Sequence, residues 1–368
     1  MEIIHLILGK ANPDRMNGVN KVVYQLATKQ KETGRNVSVW GITKDLTHNY
    51  GERNFKTVLF PAKRNPFQMD NTLKKAILSM KGKAVFHLHG GWIPLYYSAV
   101  KFMSANNIQM VITPHGNYNS VSMQRSRLKK KLYFKFFEKT VLKKVTKVHS
   151  LGESEVEGLM KLFPNNKSHL FPYGFDVAES KVVDSEKSTT FVIGYMGRLD
   201  IFHKGLDILI IAFEKFLNKV PKSQLWIIGD GEGRHELEAM VKELNLHENV
   251  LFLGGKFGTE KEEIMRKFDI FTHSSRMEGM PTSVIEASNL GIPSVVTRAT
   301  NIGSYLTNMN AGVSVENEDP EALVIAFNRM YQLKLNNTLG ELGSNAARMV
   351  KAVFNWETAL NKFDLLYK

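Results

Sequence analysis

Phe191-Val192-Ile193-Gly194-Tyr195, followed at once by Gly197-Arg198-Leu199-Asp200, is the stretch whose reading decides the fold. A short apolar run that stops at a glycine-led polar turn reads as a buried strand with a loop at its carboxyl end. The same unit recurs downstream. Gln224–Ile228 leads into Gly229-Asp230-Gly231, and Val250–Leu253, Ile270–Thr272 and Ser294–Thr297 complete the set. The first half is built alike. Ile3–Leu8 is a strand, followed by a loop with Asn12, Pro13, Asn17 and Gly18. Val19, Val22, Val23, Leu26 and Ala27 then recur at helical spacing until Gly34. Val37–Ile42, Ala84–Leu88 and Met110–Thr113 are further strands, the last two ending in His87-Leu88-His89-Gly90-Gly91 and Pro114-His115-Gly116-Asn117. Strands alternating with helices imply a parallel sheet covered on both faces. Ligands of such sheets bind in the loops beyond the strand ends.

The polar, turn-rich stretch from Pro172 to Ser188 separates the two halves. The expected organisation is α/β, with two facing doubly wound domains, residues 1–172 and 189–355, a linker at 173–188 and a cleft between them. At 368 residues, two domains are the natural count.

Composition narrows the function. There is no cysteine, which excludes disulfides, thiolate metal sites and a cysteine nucleophile. The start, Met1-Glu2-Ile3-Ile4-His5, lacks the basic opening and apolar run of a signal peptide. No apolar run reaches the roughly 18 residues of a membrane span. The expectation is a cytoplasmic protein. The net charge of +13 is lopsided: residues 1–184 carry 29 Lys and Arg against 13 Asp and Glu, whereas residues 185–368 carry 20 against 23. An anionic surface or substrate met by the first half fits this. Nucleic acid is not expected, because no zinc motif, RNA-recognition signature or arginine-rich tail accompanies the charge.

Two motifs carry chemistry. Glu278-Gly279-Met280-Pro281-Thr282-Ser283-Val284-Ile285-Glu286 sets two carboxylates eight residues apart. Gly279 and Pro281 make a turn, and Thr282 or Ser283 is expected to cap the following helix. Amides at that helix start suit an anionic or hydroxyl-rich ligand. The second motif is Arg198, then Lys204 after six positions, each beside a glycine that lets backbone approach closely. A guanidinium fork and a compact ammonium together suit a diphosphate. Gly229-Asp230-Gly231-Glu232-Gly233 follows a strand, but its third glycine arrives one residue early for a dinucleotide fingerprint. A tight turn is the expected reading.

These pieces occur in an order and spacing that resembles the retaining glycosyltransferases of family 4, which have the GT-B fold. The resemblance rests on Gly197-Arg198-Leu199, His203-Lys204-Gly205-Leu206-Asp207, Gly229-Asp230-Gly231 and Glu278-Gly279-Met280-Pro281 with Glu286-Ala287. It extends to Asn17-Gly18-Val19, Thr113-Pro114-His115-Gly116, Pro172-Tyr173-Gly174-Phe175-Asp176 and Phe354-Asn355-Trp356-Glu357. It implies that the first domain binds the acceptor and the second a nucleotide-sugar donor, UDP- or GDP-linked. It also implies that the last helix, 356–368, completes the first domain. Arg198 and Lys204 resemble the pair that binds the donor diphosphate. Glu286 resembles the acid that takes the ribose hydroxyls. Glu278 resembles the acid beside the donor sugar, with the amides of Gly279 and Met280 near the sugar hydroxyls. His115 resembles the histidine that reaches the reacting sugar, and Gly18 the glycine loop near the phosphates. Asn17 stands where many relatives have a second glycine. No Asp-x-Asp pair occurs, so no metal is expected on the diphosphate, and no cofactor is expected beyond the nucleotide sugar.

Arg125–Lys147 is the last feature. Ten basic residues face Glu138 alone, while Leu128, Leu132, Tyr133, Phe136, Phe137, Val141, Leu142 and Val145 recur at helical spacing. This is an amphipathic helix with a cationic face, suited to an anionic membrane surface and a lipid-linked glycan acceptor. Three other readings stay open: a GT-B-like sugar-nucleotide epimerase, a transferase with a small soluble acceptor, and a non-catalytic member of the fold.

Overall fold

The structure, a computed structural model, describes residues 1–12, 18–119, 127–176 and 189–368. Asn17, Arg125 and positions 177–188 of the expected linker lie outside the described residues. The chain divides into two compact units, Met1–Gly174 with Trp356–Lys368, and Phe175–Asn355.

The first unit is built on a seven-stranded sheet ordered β3-β2-β1-β4-β5-β6-β7. Its strands are β1 Glu2–Leu8, β2 Val37–Thr43, β3 Lys56–Pro61, β4 Ala84–His89, β5 Met110–Thr113, β6 Lys147–Ser150 and β7 Ser168–Leu170. All neighbours pair in parallel. The side-chain period of two splits each strand between two faces. Ile4, Leu6, Phe86, Leu88, Ile112 and Val148 point into one apolar core. Ile3, Ile7, Val85 and Val111 point into another, covered by helix Gly18–Glu32 and by the final helix, Trp356–Tyr367. That last helix buries Leu360, Phe363, Leu366 and Tyr367. Each large apolar side chain so buried contributes roughly 1.5–3 kcal/mol.

The second unit carries a six-stranded sheet ordered β10-β9-β8-β11-β12-β13. Its strands are β8 Phe191–Met196, β9 Ser223–Ile228, β10 Val250–Gly254, β11 Ile270–His273, β12 Ser294–Thr297 and β13 Gly312–Val315. These too pair in parallel. Helices Leu206–Leu217 and Pro320–Leu335 bury apolar faces on one side, and Thr282–Asn289 with Leu339–Val353 on the other. Strand order turns round between β8 and β11, so the loops after those two strands flank the crevice where ligands of such sheets bind. In the first unit the corresponding pair is β1 and β4. Doubly wound parallel sheets are therefore present in both halves, as the alternation of strands and helices implied.

Candidate active site

In the second unit, β8 delivers Gly197-Arg198-Leu199-Asp200. Asp200 caps helix Ile201–Lys204 by accepting from the His203 amide at 2.9 Å, and it meets His203 Nδ1 at 2.8 Å and Arg198 Nη2 at 3.0 Å. The Arg198 side chain is 59% exposed, so its fork remains open to a ligand. Gly205 ends the short helix at φ +61, where a Cβ would lie 2.3 Å from the Ser274 carbonyl. The Ser274 hydroxyl donates to the carbonyls of Lys204 and Gly205 at 3.1 and 2.9 Å. The turn after β11 therefore clamps the turn after β8, and only glycine fits at the contact. Gly229 has the same cause: at φ +141 its Cβ would sit 1.9 Å from the Gly197 carbonyl. The Gly229-Asp230-Gly231 turn packs on residues 197–199, with the Leu199 amide donating to the Asp230 carbonyl at 3.0 Å.

The clamp sets charges together. The Lys204 ammonium is bonded to Glu278 Oε1, and His273 Nε2 lies 3.4 Å from the same oxygen. Burial would raise the Glu278 pKa, but the His273 hydrogen bond and the Lys204 charge outweigh it and hold the acid at about 2. Burial keeps His273 below its usual pKa against the pull of Glu278. His273 is then neutral at physiological pH, its Nε2–H donates to Glu278, and its buried Nδ1 has no partner among the described residues. Glu278 is thus a fixed anion, not a proton donor. Its backbone is fixed as well: Asn301 Nδ2 donates to the carbonyls of Glu278 and Gly279 at 2.8 and 2.9 Å. The amides of Gly279 and Met280 meet no acceptor among the described residues.

Glu286 lies on helix Thr282–Asn289 and accepts from Lys261 Nζ at 2.6 Å. The expected cap is corrected here. The N-cap is Pro281, with no side-chain cap bond, because Thr282 and Ser283 already lie in the first helical turn. That helix start keeps its amide donors for something other than its own side chains.

In the first unit, Gly18 is the exposed first residue of helix Gly18–Glu32. His115 has φ +56, an uncommon conformation for a non-glycine residue, and Nε2 lies 3.0 Å from His89 Nδ1. Its loop is tied down by the buried Glu155 carboxylate, which accepts from the amides of Gly116 at 2.6 Å and Leu151 at 3.2 Å. Burial lifts that acid to about 7 despite those bonds.

The basic segment runs as helix Arg127–Tyr133, a π turn Phe134–Glu138 and helix Lys139–Lys144. Its apolar row divides. Tyr133, Phe137, Val141, Leu142 and Val145 turn inward to varying depth. Leu128, Leu132 and Phe136 point out, 78, 59 and 58% exposed, among the exposed Lys129, Lys131 and Lys135. Lys130 instead lies over the Trp92 ring, 5.7 Å from its centroid.

A family model described as Glycosyltransferase Family 4 matches residues 16–179, and one described as Glycosyl transferases group 1 matches residues 176–349. The chain belongs to this glycosyltransferase family. It is 22% identical over 368 residues to a phosphatidylinositol N-acetylglucosaminyltransferase polypeptide of Arabidopsis thaliana, covering 95% of this chain and 78% of that one. It is 26% identical over 185 residues to an Escherichia coli enzyme, UDP-Gal:alpha-D-GlcNAc-diphosphoundecaprenol alpha-1,3-galactosyltransferase, covering 49% of this chain and 46% of the other. Sucrose-phosphate synthase from Thermosynechococcus elongatus superposes with a TM-score of 0.77 at 20% identity, covering 100% of this chain and 98% of that one. The fold is accordingly GT-B.

Several residues of this glycosyltransferase escaped the sequence reading. His273 and Lys261, the partners of the two glutamates, lie at a strand end and on a solvent-side helix without any motif. Arg276 braces the Lys204 segment: it makes a two-pronged pair with Asp207 at 2.8 Å on each prong, and its amide donates to the His203 carbonyl at 3.0 Å. Asp207, within the quoted motif, is thus a structural partner of Arg276. The alternation His87-Leu88-His89 was the one available signal for a histidine-lined sheet face.

Proposed function

We propose that this glycosyltransferase moves a sugar from a UDP- or GDP-sugar to a lipid-linked glycan, with retention of anomeric configuration and without a metal ion, in building cell-surface polysaccharide. The observation that carries the reading is the centre made by Arg198, Lys204, Glu278 and His273 at the end of β11 and on the segments that follow β8 and β11. Arg198 and Lys204 hold the diphosphate and stabilise charge as it leaves. Lys204 has three donors and spends one on Glu278, so a phosphate oxygen finds it already positioned. Glu278, ionised and fixed, takes sugar hydroxyls or faces positive charge at the anomeric carbon. Gly279 and Met280 offer amides to the sugar, Glu286 takes the ribose, Gly18 lies by the phosphates and His115 contacts the sugar.

Two observations support the acceptor. The E. coli relative acts, by its name, on a diphosphoundecaprenol-linked sugar. The exposed Leu128, Leu132 and Phe136, set among lysines, form an apolar edge in a cationic surface, the pattern of a helix that lies at an anionic membrane face. No helix among the described residues is long and apolar enough to cross a membrane, which fits attachment by that surface. The test is incubation with labelled UDP- and GDP-sugars, with and without bacterial lipid extract. Label entering the organic phase only with lipid supports the reading. Label on a water-soluble acceptor alone removes the lipid-linked part.

A further inference from the structure

β1, β4, β5 and β6 are in register so that His5 faces His87, and His89 faces Thr113. With His149 on β6, these side chains share one sheet face. They form a single hydrogen-bonded line. His115 Nε2 meets His89 Nδ1 at 3.0 Å, His89 Nε2 meets His5 Nδ1 at 2.9 Å, and His5 Nε2 meets Gln30 Oε1 at 2.7 Å. Gln30 Nε2 reaches the Tyr367 hydroxyl at 3.2 Å, which meets His87 Nδ1 at 2.9 Å. His87 Nε2 meets Thr113 Oγ1 at 2.6 Å, Thr113 meets His149 Nδ1 at 2.9 Å, and His149 Nε2 ends on the Phe171 carbonyl at 2.9 Å.

His5, His87 and His89 have ring nitrogens within 4.8 Å of one another, the spacing of a metal site. All six of those nitrogens are already committed to the line, so the cluster serves as a hydrogen-bond relay.

The direction of the relay is fixed at one end. A carbonyl only accepts, so His149 Nε2 donates and its Nδ1 must accept from Thr113. Thr113 has one proton, so it accepts from His87 Nε2–H. His87 Nδ1 then accepts from the Tyr367 hydroxyl, which accepts in turn from the Gln30 amide. That orientation turns Gln30 Oε1 to His5, whose Nε2–H donates. His5 Nδ1 accepts from His89 Nε2–H, and His89 Nδ1 accepts from His115 Nε2–H. Every ring carries one proton, which agrees with burial lowering the pKa of all five. The buried Tyr173 hydroxyl makes no hydrogen bond among the described residues, so it does not compete for the Thr113 proton.

We propose that this relay holds His115 with its proton on Nε2, so that Nδ1 offers a lone pair to a hydroxyl of the donor sugar, and that Thr113, Tyr367, Gln30, His5 and His89 are positioning residues for that tautomer. The role given to the lone pair rests on the reading of His115 as a sugar contact. The specificity consequence is that a sugar bringing a hydroxyl hydrogen to that position should be preferred over one carrying fluorine there.

The test is nitrogen NMR of histidine-labelled protein, which reports the tautomer of each ring without substrate. All five rings are expected with the proton on Nε2. In Thr113→Val, His87 loses its acceptor and the line is free to run backwards, so His115 gains an Nδ1–H population. Thr113→Ser keeps the hydroxyl and the wild-type pattern. Turnover should fall roughly 10-fold in the valine variant, by analogy with the outer partners that fix the tautomer of metal-ligating histidines, with UDP affinity unchanged, and should recover in the serine variant. Tyr367→Phe interrupts the line at a second point and should also admit the Nδ1–H form. A proton on Nδ1 of His115 in the wild type, or no tautomer change in either interrupting variant, overturns the proposal. Full transfer activity in His115→Ala would instead remove the sugar contact and leave the tautomer result standing.

Discussion

Lys204 and Glu278 stand 74 positions apart in sequence and meet as ammonium and carboxylate at the strand-order reversal of the second sheet. Neither turn could hold its charge alone. The Ser274 hydroxyl, bonded to the Lys204 and Gly205 carbonyls, and Arg276, paired with Asp207, lock one turn onto the other through the protein's own contacts. A site organised in advance does not reorganise as charge develops, and this is the largest advantage such a site has over water.

Lys204→Ala and Arg198→Ala should each lower turnover by about 10²–10³-fold, the usual cost of one lost donor to developing charge. Steady-state rates on one nucleotide sugar check this, and full activity in both variants refutes the diphosphate assignment.

The two glutamates should separate. Glu286→Ala should weaken binding of UDP or GDP alone, read by calorimetry. Glu278→Ala should spare the bare nucleotide and depress transfer. The opposite pattern would exchange their roles.

Acid should destabilise the first unit early. A histidine whose folded pKa is lowered adds stability above its unfolded value near 6.5 and loses it as pH falls toward the folded value. His5 is held at about 4, and His115 and His149 at about 3. Below pH 6.5 each of these three rings removes up to about 1.4 kcal/mol per pH unit. Glu155, raised to about 7, works the other way, adding stability below about 4.5 and losing it as pH rises through 7. Glu138, also raised by burial, opposes in the same sense, but His87 and His89 are lowered as well, so five rings outweigh two acids and melting temperature should fall from pH 6.5 to 4.5. A flat profile there contradicts the buried neutral cluster.

Phe363 is fully buried in the final helix, so Phe363→Ala should cost about 3–5 kcal/mol. Deleting residues 356–368 should lower the melting temperature further, and an unchanged one argues against this packing.

Vesicle binding should require anionic lipid and fade with salt, since screening sets in within about 8 Å at physiological ionic strength. Replacing Lys129, Lys131 and Lys135 by Gln should abolish it. Lys130 is left in place because it packs on Trp92. Equal binding to neutral vesicles would make the face an ordinary solvated one.

Strands with continuous apolar runs were legible with ends displaced by a residue or so: Phe191–Tyr195 against Phe191–Met196, and Met110–Thr113 unchanged. Lys56–Pro61, Lys147–Ser150, Ser168–Leu170 and Gly312–Val315 were not, being short or carrying Lys, His and Ser where apolar periodicity was the signal. The site divides in the same way. Arg198, Lys204 and Glu278 could be picked out as candidates because glycine and proline around them mark turns, whereas Glu286, inside a helix, was picked out by the family resemblance. His273, Arg276 and the relay partners of His115 act through contacts made across strands, and no local spacing encodes such contacts. The outward turn of Leu128, Leu132 and Phe136 was also hidden, because helical spacing gives a row but not which side of it meets the core.

Retaining transfer at the centre of Arg198, Lys204 and Glu278 is tested most directly by proton NMR of the first-formed product, recorded before it equilibrates. The new glycosidic bond is expected to have the anomeric configuration the sugar had in its nucleotide donor. A product of inverted configuration would contradict the assignment.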